Sequence, residues 1–64
     1  MKKGERCLKI LEILQEKHQV DVTELAKYFQ TSEMTIRRDL NFLAREHNIT
    51  RTHGGAIMTG QSVV

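Results

Sequence analysis

Sixty-four residues with a single cysteine, Cys7, must hold together on one small core of packed side chains. No internal disulfide is possible, and no cysteine-rich zinc site can be assembled. A domain of this size buries only about 60% of the surface its unfolded chain exposes, so the apolar positions have to converge on one compact core. Their spacing therefore constrains the architecture closely.

From Glu5 to about Lys17, apolar Cys7, Leu8, Ile10, Leu11, Ile13 and Leu14 recur too densely for a helix with one buried face. They predict a helix packed on more than one side, the centre of a small bundle. Glu5 in its first turn and Lys17 and His18 in its last suit the helix dipole. Gln19 to Val22 alternates and contains two β-branched residues, which predicts one short strand. Thr23 is then placed to cap a second, short helix, with Leu25, Ala26 and Phe29 as its buried stripe. Gln30 and Thr31 break that pattern, and Ser32 is the N-cap of a third helix, 33–46.

The third helix has two distinct faces. Ile36, Leu40 and Leu43 recur at i, i+4, i+7 and mark the buried side. At roughly 100° per residue, Met34, Arg38, Asn41 and Arg45 point the opposite way, with Thr35 and Arg37 along the edges. Phe42 falls off the core face, either under a neighbouring hairpin or partly exposed. Asn48 suits a left-handed C-terminal cap. Ile49 to His53 reads as a strand, Gly54-Gly55 as a tight turn, and Ala56 to Met58 as the returning strand of a hairpin, or wing. The expected fold is mainly α, a three-helix bundle with a small β-hairpin wing occupying 49–58. The domain is expected to span 1–58, with 59–64 the start of a linker.

Net charge is only +2, but its distribution is uneven. From Met34 onward only Asp39 and Glu46 are acidic, against Arg37, Arg38, Arg45 and Arg51. Arginines gathered in one segment are compatible with phosphate binding. Repulsion from phosphate excludes Asp39 from a direct contact and predicts an ion pair holding an arginine or the wing. No apolar stretch has signal-peptide or membrane-span length, so a cytoplasmic protein with no membrane partner is expected. Glycine-rich phosphate loops, paired zinc histidines on a helix and nucleophile elbows are all missing, and no enzyme is expected. His18, His47, His53 and Cys7 lie on separate elements without ligand spacing, so neither a metal nor a cofactor is expected.

Two short helices joined by a tight turn, the second capped by serine, form a helix-turn-helix. Ala26 lets the helices approach, Ile36 packs against that spot, and the polar face of the third helix stays free for a major groove. The bland alternative is a generic three-helix bundle with a merely solvated polar face. A protein-interaction or RNA-binding winged helix is the other competitor; a protein-binding version would expose apolar anchors on the third helix, where this chain has mostly cations and an amide, with Met34 the exception.

The third-helix wording narrows these options. Ser32-Glu33-Met34-Thr35-Ile36-Arg37-Arg38-Asp39-Leu40 resembles the S-x-x-T-I/V-R-R-D-L signature of the DeoR (deoxyribose-operon repressor) family of bacterial regulators. Arg6 with Ile10 and Leu14 resembles its first helix, and Val20 to Ala26 its second. Arg51-Thr52-His53-Gly54-Gly55-Ala56 is similar to its wing. Departures are Gln19 and Asn48, where members often carry glycine, and Gln30, a turn position that other helix-turn-helix proteins give to glycine. The resemblance implies a winged-helix head that binds operator DNA, usually as a repressor of a sugar or carbohydrate operon. It also implies a homo-oligomeric parent with a C-terminal domain, expected to be absent here, that responds to a sugar phosphate.

The residues expected at DNA are Ser32, Met34, Thr35, Arg37, Arg38, Asn41, Arg45, Arg51 and His53. Arg38 projects straight from the core and is the first choice for base reading, with Arg37 a phosphate contact; the two roles can be exchanged. Ser32 and Thr35 sit at the helix N-terminus, where backbone N–H groups favour an anion. Arg51 and His53 can reach phosphates or an adjacent minor groove, and His53 can equally be a turn residue bonded locally.

Overall fold

The computed structural model describes residues 2–58. The order of elements is α1 (Lys3–Lys17), β1 (Gln19–Asp21), α2 (Val22–Phe29), α3 (Glu33–Glu46), β2 (Ile49–Thr52) and β3 (Gly55–Met58). Three helices enclose a core of Ile10, Leu14, Val22, Leu25, Ala26, Ile36, Leu40 and Leu43, closed from the strand side by Ile49 and Ala56. This is a winged helix-turn-helix, as the apolar spacing predicts. The linker assigned to 59–64 lies outside the described residues.

Helix α1 buries one stripe, Cys7, Ile10 and Leu14, with Leu11 and Ile13 half-buried along its edges. The expectation of burial around most of its circumference is corrected by Leu8, which is 62% exposed. The chain leaves α1 through His18 in the left-handed region, whose N–H donates to the Leu14 carbonyl at 2.7 Å. The cap of α2 is Asp21, not Thr23: the Asp21 carboxylate accepts from the Glu24 N–H at 3.1 Å. Helix formation starts earlier than expected because Val22 is needed in the core.

Helix α2 ends in a Schellman motif, with Gln30 at φ 56° and the Thr31 N–H reaching back to the Ala26 carbonyl. Gln30 thus adopts the backbone conformation that glycine adopts without strain. Ser32 caps α3 as expected, accepting from the Thr35 N–H at 3.1 Å. Asn48 is not a left-handed cap. His47 ends the helix in an extended conformation, and Asn48 is the middle of a three-residue turn closed from the Ile49 N–H to the His47 carbonyl.

The wing has one strand more than a hairpin. Strand β3 lies between β1 and β2, antiparallel to both, pairing Val20 with Ala56 on one side and Arg51 with Ala56 on the other. The tight turn is His53-Gly54, with Gly54 at φ 90°, and Gly55 already belongs to β3. Gly55 is required for a different reason. A β-carbon there would stand 2.0 Å from the Val20 carbonyl oxygen, so only a bare backbone lets β1 and β3 meet. Bonds from the Val22 N–H to the Gly54 carbonyl and from the Met58 N–H to the His18 carbonyl tie the wing back to the helices.

Candidate nucleic-acid interface

The exposed side of α3 is built on a rigid base. Ile36, Leu40 and Leu43 are fully buried, and Asp39, the one buried polar residue among the described residues, is 1% exposed. Its carboxylate binds the Arg6 guanidinium of α1 through two hydrogen bonds, from Nε to Oδ2 and from Nη2 to Oδ1. The carboxylate holds the Arg6 guanidinium proton more tightly than usual. This is the ion pair expected of Asp39, and its partner is now identified. An ion pair so placed fixes the rotation of α3 about its own axis, because either charge left alone in the core would be costly. Burial pushes the neighbouring Cys7 thiol up, which suits core filler and not a nucleophile.

On the outward side the cations fall into two sets. Arg37 is tied to Glu33 one turn earlier at 3.2 Å, and Glu33 also accepts from the Thr23 hydroxyl, so α2 and α3 share a small polar network. Arg38 and Arg45 have no carboxylate partner among the described residues. Arg38 only leans on the Met34 sulfur at 4.0 Å, and Met34 is 58% exposed. Ser32 and Thr35 share a hydroxyl–hydroxyl bond of 3.0 Å at the start of α3. Met34, Arg38, Asn41 and Arg45 are all exposed along one stripe, as helical geometry requires.

Arg51 lies at the junction of wing and helix. Half-buried on β2, it donates from Nε to the Gly55 carbonyl at 2.9 Å and from Nη1 to the Asn41 side-chain oxygen. Spacing alone could not reveal this contact, since it depends on how the hairpin folds back over α3. His53 stands exposed at the tip of the turn. Phe42 is 38% exposed and lies beside the start of α1, with the Lys3 ammonium 4.8 Å from its ring centre.

The fold and its exposed cationic helix define a winged helix-turn-helix DNA-binding domain. Residues 6–62 match the family model described as the DeoR-like helix-turn-helix domain, and the chain belongs to that family. It is 43% identical to the glycerol-3-phosphate regulon repressor of Escherichia coli, over 98% of this chain and 25% of that protein. It is 47% identical to a putative galactitol utilization operon repressor of Escherichia coli, over 97% of this chain and 57% of the relative. An uncharacterized helix-turn-helix regulator of Bacillus subtilis, YulB, is 45% identical over 91% of this chain and 22% of its own length. The chain thus spans between about a quarter and somewhat more than half of these relatives. No solved structure matches it. No helix among the described residues is long and apolar enough to cross a membrane.

Proposed function

We propose that α3 enters the major groove of an operator and that the wing contacts the adjacent backbone or minor groove, as the head of a bacterial repressor of a carbohydrate operon. The observation that carries this reading is the pair of guanidinium groups, Arg38 and Arg45, that have no carboxylate partner among the described residues, on a stripe opposite the buried face of α3. Arg38 is free to fork onto guanine O6 and N7. Arg37, already oriented by Glu33, serves as a phosphate contact, with Arg45 extending the cationic stripe along the groove. Ser32 and Thr35 add hydroxyls at the α3 N-terminus, where an anion is favoured. Met34 offers an apolar contact, Asn41 an amide, and His53 a contact from the wing tip.

The names of the relatives support the class of operon: glycerol-3-phosphate, galactitol and the lactose phosphotransferase system. In a protein of their length, residues 59–64 would lead into a sugar-phosphate-responsive domain that also pairs the heads. Such a regulator works in the cytoplasm, without enzymatic activity of its own.

Selection from a randomised duplex library, followed by titrations of single variants, tests the assignment. Arg38→Ala should flatten the preference at one base position, a loss of about 1–3 kcal/mol in discrimination. Arg37→Ala should weaken all sequences alike and reduce the salt slope by about one. The reverse pattern would exchange the two roles, and no enrichment of any sequence would remove the DNA-reading assignment.

A further inference from the structure

The contact between Arg51 and Asn41 restricts what Asn41 can read. An arginine side chain has only donors, so the Asn41 atom it faces must be the carbonyl oxygen, and the orientation of the amide is fixed without ambiguity. The Asn41 NH2 group then points away from Arg51 as a free donor, while the carbonyl oxygen is already bonded to a cation. Arg51 is itself held against moving away, because its Nε is bonded to the Gly55 carbonyl of the adjoining strand. Gly55 in turn is pinned against β1 by the close approach of its backbone to Val20.

A free asparagine amide pairs with adenine by offering its NH2 to N7 and accepting from the N6 amine. Arg51 uses one of the two lone pairs of that carbonyl and sets its guanidinium charge beside the other, so the adenine amine, itself a donor, meets a positive group there and the second bond is weakened. Guanine instead presents two acceptors, N7 and O6, on the same edge, and both suit a donor. We propose that Arg51, acting from the wing, is a specificity-determining positioning residue that turns Asn41 from an adenine reader into a reader of guanine. The inference rests on α3 lying in the major groove.

The test is selection from a randomised duplex library with the 64-residue chain and four variants, scored by base preference at each position. Asn41→Ala identifies the position Asn41 reads as the one that becomes indifferent. There the unaltered chain should favour guanine over adenine. Arg51→Ala and Arg51→Met, the latter keeping the apolar stem, should shift that ratio toward adenine by about tenfold, the scale of one bidentate contact. Arg51→Lys, which restores a donor, should return it toward guanine. A general loss of affinity through a weakened wing would lower all sequences together and leave the ratio unmoved, so such a result overturns the proposal. Adenine at that position in the unaltered chain, or no position relaxed by Asn41→Ala, also overturns it while leaving DNA binding by α3 intact. Failure of the unaltered chain to enrich any sequence defeats the underlying groove reading itself.

Discussion

Two adjacent glycines do different work at the residue scale. At Gly55 the obstacle is the Val20 carbonyl, a backbone atom that cannot yield, so Gly55→Ala should separate β1 from β3 and cost about 1–3 kcal/mol. At Gly54 there is open space and the cost is conformational, so Gly54→Ala should lose about 1 kcal/mol and Gly54→Asn less. Urea unfolding followed by circular dichroism separates the two. Reading Gly54-Gly55 as one turn located the feature but assigned both glycines a single purpose, because a collision with a strand 35 positions earlier leaves no local mark.

Cys7 gives a pH dependence with a defined sign. Its folded pKa is raised above the ordinary 9.0 by burial, so the thiol stays protonated in the folded chain where the unfolded chain ionises. The stability it contributes is complete below pH 9.0 and is lost as pH rises beyond it. Denaturant midpoints measured from pH 7 to 10.5 should therefore fall more steeply for the native chain than for Cys7→Ala above that point.

At the scale of elements, the periodic parts of the chain were legible and the pairings were not. Helix α3 runs over the range that Ser32, Ile36, Leu40 and Leu43 predict, because its cap and stripe are local signals. Asp39 was recognisable as a residue needing a cation, but Arg6 stands 33 positions away and nothing in the spacing selects it. The left-handed caps fell on His18 and Gln30, and not on Asn48, since helix-end geometry is set by where the next element must go. Leu8 is apolar like the core positions of α1, yet its side of the helix faces solvent.

Two predictions belong to the elements. Gln30→Gly relieves a left-handed residue in the turn between α2 and α3, and should raise stability by about 1 kcal/mol without changing DNA affinity. Asp39→Ala leaves Arg6 without its counter-charge inside the α1–α3 contact, and should cost about 3 kcal/mol. Thermal unfolding of both variants checks the first effect and the second. Wild-type stability in Asp39→Ala would mean that α1 does not clamp α3 through this ion pair.

Taken whole, the molecule is a small core whose wing doubles as a brace. Strand β3 is bonded on both edges, and through Arg51 the sheet reaches across to α3, so helix and wing are presented as one surface. A two-stranded hairpin, the form the sequence predicts for the wing, lacks the anchor that β1 provides. Strand β1 is short, with Gln19 and Asp21 exposed and Val20 half-buried, and its alternation identifies a strand without naming its partner. A single head contacting a few phosphates should bind with modest affinity and strong salt dependence.

The most direct test is a two-dimensional amide NMR titration of the chain with a short duplex enriched by library selection, repeated as salt is raised. Shifts concentrated in residues 32–45 and 51–55, fading with salt, are the predicted result. A well-dispersed spectrum in which those residues do not move would contradict the claim that α3 and the wing form the DNA-binding surface.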